Sequence, residues 1–504
     1  MTAESSHNLE QDEPREDRPA AFDRFEQAGA RALYGGDYRE AVAAFSQALE
    51  AARATQGVPA APPALRRARW ERQLGQALAG LEDIGASRAH FEAALGLLRQ
   101  PVPDNGRRVM LGWMEEMAAQ LGRQVRPAAQ AGADEQAAYL EAARAYYELA
   151  MLHNRSGEPI MALHAAWRML NLAEQAGPSA ELGQACALVA ALSLAVPRVA
   201  ETYARRAHGA VQTIARLIDR GRLLLPLGRY YAHTAQWVEA EQALGEALDG
   251  AASRGDRRLW EETAGEVAIM AFQRGQFQRG ADLGARMAAS ARERGAAAVP
   301  GLYAQALNLL PLGPPGQVIP LLEQGAVGPS EQPSDLYRIT VRGLLALAHA
   351  ENGELRTAER AAEKVIKLAA NTSPAAAIGF GYPGATEVIL RLWEQSGDDE
   401  SRRHYARQAE QLIRQIRQAV RLAPVFQPAG WRLRGMAAHL RGHPTTAYNA
   451  WWYGLQAAER LGMPYQAALL HATIARHGPT AERPLHTRLA GDIFRQLGVP
   501  AARI

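Results

Sequence analysis

A pattern of small and large residues recurs from one end of this chain to the other, and it limits the folds open to the chain more than any other feature. Near the N-terminus, Gly29, Ala32, Gly36, Tyr38, Ala41, Phe45 and Ala48 follow at set offsets. Near the C-terminus, Gly435, Ala438, Gly442, Ala447 and Trp451 repeat them. Small residues on one helix let a second helix approach, and a large side chain fills the space left between them. A Gly between two apolar-periodic segments supplies the turn. Each stretch therefore predicts a hairpin of two helices. Such turns fall near Gly36, Glu82, Gln120, Glu158, Val196, Ala235, Gly275, Gly313, Gly353, Gly397 and Gly442, with one more near Gly478, a spacing of about forty residues. A period of that size marks stacked repeats, in which the core grows in one dimension, rather than several separate globules.

The clearest units support one another. Gly228, Tyr231, Trp237, Ala240, Leu244 and Ala247 hold the key offsets in one, and Ala268, Ala271, Gly275, Phe277, Gly280 and Met287 in the next. Gly75, Leu78, Ile84, Ser87, Phe91 and Ala94 do so around residue 82. The units near residues 120 and 313 are degenerate. The stretch LPLGPPGQVIP at 310–320 carries four prolines, which break a helix or replace it by a loop. Ala, Leu, Arg, Glu and Gln dominate the composition and favour helix, and no long run alternates with period two. The expected fold is all-α: a superhelical solenoid of about eleven hairpins of the tetratricopeptide (TPR) type over residues 21–504. Its repeats are longer than the usual 34 residues. Residues 1–20, polar and charged with Pro14 and Pro19, read as a disordered acidic tail.

The net charge is +3 for 504 residues. The tail holds six acids against Arg15 and Arg18, about −4, which leaves about +7 on the rest. A body so weakly basic, with no run of Arg beyond two, does not call for nucleic acid. The single cysteine, Cys186, excludes an internal disulfide, sits in the apolar run ACALVAAL as a buried hydrophobe, and fits a cytoplasmic setting. The acidic N-terminus lacks the apolar core of a secretory signal, and no uncharged apolar stretch is long enough to cross a bilayer.

Four phrases in this register, EPIMALHAAWRMLNLAEQAGPSAELGQA (158–185), GRYYAHTAQWVEAEQALGEAL (228–248), GDRRLWEETAGEVAIMAFQRGQFQRG (255–280) and GWRLRGMAAHLRGHPTTAYNAWWYGLQAAERLGMPY (430–465), resemble the C-terminal TPR region of large bacterial class III adenylate/guanylate cyclase proteins that carry an AAA-type ATPase module. The resemblance covers about residues 22–500. It implies a helical-repeat sensor or docking region and no catalysis, since the family's catalytic parts precede its repeats. The residues agree. A phosphate-binding P-loop needs Lys after Gly, whereas Lys364 follows Glu363 and Lys367 follows Ile366. A cyclase needs a sheet, and none is expected here.

Other motifs read as structure. Gly379, Gly381 and Gly384 satisfy G-x-G-x-x-G, but a helical segment precedes them and Pro383 interrupts them, so they read as an inter-repeat loop with Tyr382 tucked against the next helix. His439 and His443 stand four apart, but Gly442 and Pro444 place the second in a turn, with no acidic third ligand. Arg402, Arg403 and Arg407 around Tyr405 read as an exposed face paired to Asp398, Asp399 and Glu400. No catalytic, cofactor or metal residue is assigned. Candidate partner-binding residues are first-helix positions not needed for packing: Arg155, Arg229, His233, Glu266, Phe272, Gln273, Arg432 and His439. Trp451 is expected to pack and Trp452, about 100° round the helix, to be exposed and available to a partner. An Arg-rich groove with aromatics suits an acidic protein segment or an anionic small molecule. The expected role is a non-catalytic scaffold or regulator that docks a protein partner in signalling. The alternatives are a small-molecule effector sensor and an enzyme without a recognisable motif.

Overall fold

The computed structural model describes residues 18–55, 62–103, 106–125, 132–212, 217–293, 298–326, 335–371 and 380–500. Twenty-three α-helices and no strand occur among them. Two compact units divide between Val102 and Pro103. The first holds two hairpins, α1 (Arg18–Gly35) with α2 (Tyr38–Ala54), and α3 (Ala64–Gly80) with α4 (Ile84–Leu97).

The second unit opens with α5 (Gly106–Val125), which has no hairpin partner among the described residues and rests on α7. Nine hairpins follow. They pair α6 (Ala133–Arg155) with α7 (Pro159–Ala176), α8 (Ala180–Leu192) with α9 (Pro197–Val211), and α10 (Leu217–His233) with α11 (Trp237–Arg254). Next come α12 (Arg257–Gln273) with α13 (Phe277–Glu293), α14 (Val299–Leu309) with α15 (Ile319–Ala326), and α16 (Asp335–Glu351) with α17 (Leu355–Asn371). The last are α18 (Gly381–Gln395) with α19 (Asp399–Leu422), α20 (Gln427–Leu440) with α21 (Pro444–Arg460), and α22 (Pro464–His477) with α23 (Arg483–Gln496). The proline-rich stretch leaves α14 and α15 short, with a single 3₁₀ turn at Pro315–Gln317 between them.

The small-to-large pattern has a direct geometric cause. A Cβ on Gly29 would run into the ring of Phe45, on Gly75 into Phe91, on Gly228 into Leu244, and on Gly435 into Trp451. In each pair the large residue lies sixteen positions on, across the hairpin. The turns share one chemistry as well. Asp37 N–H donates to Ala32 O at 2.8 Å, Asp83 to Leu78 at 3.0 Å, Gln236 to Tyr231 at 2.9 Å, Gln276 to Ala271 at 2.8 Å and His443 to Ala438 at 3.0 Å. These are Schellman closures, which need one left-handed residue. Gly36, Gly275 and Gly442 supply it (φ 80°, 72° and 80°), and Glu82 and Ala235 take the same conformation (φ 65° and 61°) against their steric preference. One expected turn is corrected. Gln120 lies inside α5, where its buried side chain donates to Asn171 Oδ1 at 2.6 Å and accepts from Tyr203 Oη at 3.1 Å.

Within the second unit the C-terminal hairpins return onto the middle ones. Trp237 Nε1 donates to Leu461 O at 2.6 Å. Phe272 stands at the centre of an aromatic group, with ring centroids 5.9 Å from Phe277, 5.8 Å from Phe380 and 5.9 Å from Tyr465. Tyr465 meets Phe277 edge-on at 5.2 Å, and Phe380 meets Phe426 at 5.3 Å. Such pairs contribute about 0.5–1.5 kcal/mol each beyond the area they bury.

Candidate functional site

The first-helix residues singled out in the sequence do lie on first helices: Arg155 on α6, Arg229 and His233 on α10, Glu266, Phe272 and Gln273 on α12, and Arg432 and His439 on α20. The arginines among them are already matched by carboxylates. Arg229 holds Glu266 through Nε at 2.8 Å and Nη2 at 2.7 Å. Burial disfavours its charge, and Glu266 outweighs burial, so its pKa is raised. Arg155 lies 3.9 Å from Glu262. Arg432 and Arg391 share Glu387 at 2.5 and 2.7 Å. Burial opposes the Glu387 charge, but the two arginines hold its carboxyl well below the usual range. His233, next to Arg229 and Glu266, is pushed down by burial, and its Nδ1 has no partner among the described residues.

The remaining candidates are spread out. Phe272 belongs to the aromatic group above, and Gln273 is buried. His439 stacks between Trp451 at 5.9 Å and His477 at 4.8 Å. Trp451 is 1% exposed and Trp452, about 100° round α21, is 43% exposed. The structure thus joins Arg229, His233 and Glu266, and it places Arg432, His439 and Trp452 elsewhere.

Four arginines with no such match lie between α19 and α21, the second helices of successive hairpins, over the first turns of α20. An open groove of about 1040 Å³ lies there. Arg417 and Arg421 of α19, Arg434 of α20 and Arg460 of α21 line it, together with Trp431 and Tyr453. Among the described residues no carboxylate does. Ile416 and Val420 form an apolar floor against Gly430, where a larger residue would strike both. Trp431 and Tyr453 make a shelf with ring centroids 5.5 Å apart. The Arg434 guanidinium lies over the Trp431 ring at 4.4 Å, close enough for a cation–π contact. Burial lowers the Arg434 pKa, and the like charge of Arg417 lowers it further. Arg460 donates to Gln427 Oε1 at 2.7 Å, a neutral acceptor that leaves its charge unbalanced. Arg417, Arg421 and Arg460 are exposed, and Arg434 is half-buried.

Sequence reasoning passed over these residues, although a signal was present: residues 411–458 contain no Asp or Glu and six Arg. First-helix positions drew attention because they face inward in a solenoid, and this groove lies between second helices.

Other motifs resolve into packing. Gly381 and Gly384 open α18 and lie against the backbone of Ile339 and Gly343 on α16, where a Cβ would collide. They are therefore helical and not a loop, Tyr382 is fully buried, and Gly379 lies outside the described residues. Asp398 caps α19 through the Ser401 N–H at 2.8 Å, and Arg402 donates to Ser396 O at 3.2 Å rather than to that carboxylate. Cys186 is buried, and burial pushes its thiol up to about 12, which makes it a poor nucleophile. Among the described residues no three His, Cys, Asp or Glu could hold a metal ion, and no helix is long and apolar enough to cross a membrane.

No family model matches the chain, and no curated protein sequence matches it. Among solved structures the chain is similar to a Rap protein complexed with Competence and Sporulation Factor, at 11% identity and a TM-score of 0.46, covering 88% of this chain and 99% of that one. It is similar to the APC/C hetero-tetramer Cut9–Hcn1, at 13% identity and a TM-score of 0.30, covering 94% and 96%. It is also similar to the human IFIT1 dimer with m7Gppp-AAAA, at 12% identity and a TM-score of 0.29, covering 89% and 96%.

Proposed function

We propose that this chain is a non-catalytic docking protein whose groove between α19 and α21 holds an acidic segment of a protein partner. One observation carries the reading: four arginines converge on an aromatic shelf with no carboxylate lining the groove. In a protein with 53 acids, an acid-free basic groove is a standing electrostatic demand for an external anion. Charge-assisted hydrogen bonds from Arg to carboxylate contribute about 1.5–3 kcal/mol each when desolvated. The half-buried Arg434, fixed by its stack on Trp431, is best placed to make one. The inner-face residues Arg155, Arg229, His233, Glu266, Phe272, Gln273, Arg432 and His439 then serve mainly the protein's own hairpin contacts, and Trp452 borders the docking side.

The test is fluorescence anisotropy of a labelled Glu-rich peptide with the full chain at several salt concentrations. Binding should weaken as salt rises, since exposed charges are screened over about 10 Å at 0.1 M. It should drop sharply in Arg417→Ala and Arg434→Ala and hold in Arg229→Ala. Binding that ignores salt and both groove variants would refute this reading.

A further inference from the structure

We infer that the groove reads a phosphorylated side chain, phosphoserine or phosphothreonine, on the partner segment. This rests on the docking role just proposed and narrows it to one chemistry. Three observations lead to it. First, Arg434 and Arg417 face the same space and Arg421 follows Arg417 by one helical turn, so at least two guanidinium charges meet with no counter-charge between them. One carboxylate offsets one of these charges. A phosphate monoester carries about −1.5 to −2 at neutral pH and presents three acceptor oxygens, which answers both.

Second, the donors are forks. Each guanidinium has five N–H groups in one plane, matched to phosphate in bidentate geometry. The face of Arg434 is taken up by Trp431, which leaves its edge to address an anion. Burial together with the like charge of Arg417 makes Arg434 the member of the group with most to gain from a dianion.

Third, the shelf of Trp431 and Tyr453, the latter 54% exposed, offers apolar surface beside the cations for the residues that flank the phosphate. The groove is open to solvent, and its volume of about 1040 Å³ leaves room for peptide residues beside the phosphate. A nucleic-acid strand is a poorer fit. Its many phosphates need a basic track, whereas the chain's net charge is only +3 and no run of Arg exceeds two.

The experiment uses the full chain and three labelled peptide pools with random flanks and a fixed central Ser, Glu or phosphoserine. Anisotropy should show the phosphoserine pool binding roughly tenfold or more tightly than the Glu pool, as expected when one charge-assisted pair is added. The Ser pool should bind least. Arg417→Ala should bring phosphoserine down to the Glu level. Arg434→Lys keeps the charge and loses the fork and the stack, and it should do nearly the same. Circular dichroism reports folding of each variant, and the exposed Arg417 and Arg421 carry the test if a change at Arg434 disturbs the fold. Equal binding of the Glu and phosphoserine pools would overturn the phosphate inference and leave the acidic docking role standing. No binding of either pool would overturn both. Displacement of the phosphopeptide by equimolar inorganic phosphate, or stronger Arg417-dependent binding of a short single-stranded RNA, would assign the groove to another anion and overturn the inference.

Discussion

Acid should loosen the last hairpin, α22 with α23. His471 on α22 and His486 on α23 are buried, and their Nδ1 atoms lie 2.8 Å apart. At neutral pH one ring donates and the other accepts. A first proton is tolerable, because His486 Nε2 lies 3.7 Å from Glu482, which itself accepts from the Tyr448 hydroxyl at 2.6 Å. A second proton sets two donors face to face in a buried site. Burial, and then the charge of His486, push the His471 pKa down to about 4 from an ordinary 6.5. In the unfolded chain His471 keeps its ordinary value and binds a proton at higher pH than the folded chain does. The stability it contributes is therefore complete above pH 6.5. It falls by about 1.4 kcal/mol per pH unit below that and levels off near pH 4, a total of about 3 kcal/mol. Burial lowers the His486 pKa too and adds in the same direction. The Glu387 carboxylate, held down by its two arginines, takes up a proton in the folded chain only below this window, and its contribution begins to fall only below the ordinary carboxylate value, under the lowest pH measured. Hydrogen exchange read by mass spectrometry at pH 7.5, 5.5 and 4.5, corrected for intrinsic rates, should show protection of α22 and α23 falling while that of α1 and α2, which carry no histidine, holds. The double variant His471→Phe, His486→Phe should remove most of the pH dependence, leaving the part owed to His477 at the end of α22, whose pKa burial also lowers. Protection of α22 and α23 that does not change over this range would refute the argument.

Three further outcomes follow from packing. Trp451→Ala should cost on the order of 3–5 kcal/mol and loosen the C-terminal hairpins first, and Trp452→Ala roughly half a kcal/mol or less, by urea unfolding with exchange mapping. Equal losses would put the wrong face of α21 inward. Gly435→Ala drives a methyl into the Trp451 indole and should destabilise by about 1–3 kcal/mol, measured the same way. Trp237→Phe removes the hydrogen bond to Leu461 O and should cost about 1 kcal/mol, seen as faster exchange at the start of α22 and not in α6; unchanged exchange there would show that the contact does not fasten the C-terminal hairpins.

The repeat was legible because its cause is local. A glycine and a large residue sixteen positions apart must meet if two helices of this length fold back on each other, so the sequence shows the hairpin directly. The unpaired helix α5 was not legible, because Gln120 carries no turn chemistry and only its contacts with Asn171 and Tyr203 reveal its place. The basic inner face was misjudged in charge for a related reason. Arg229 meets Glu266 and Arg144 meets Glu181, each 37 residues on, while Arg432 meets Glu387, 45 residues back. These separations are about one repeat, so the partner of an inner-face residue is the equivalent position of the neighbouring hairpin. The groove at Arg417 and Arg434 lies outside that rule: it sits in a stretch, residues 411–458, that holds no acid, so no carboxylate close in sequence faces them. The return of the C-terminal hairpins left no periodic trace at all, since Trp237 and Leu461 are 224 residues apart and follow no register.

That return bears on how the protein is made. A simple repeat array can fold from its first hairpins as they leave the ribosome, each resting on the one before. Here Phe272, Phe277 and Trp237 are finished long before Tyr465 and Leu461 exist to cover them. At about 5–20 residues per second, the 224 residues that separate Trp237 from Leu461 take roughly ten to forty-five seconds to synthesise. For that interval an aromatic surface built for the chain's own end stands open on a nascent protein. Slow translation, or a stop anywhere between α14 and α22, lengthens the exposure and favours capture by a chaperone or association with a second nascent chain. Synonymous changes that slow this stretch should therefore lower the soluble yield without altering a single residue of the finished protein.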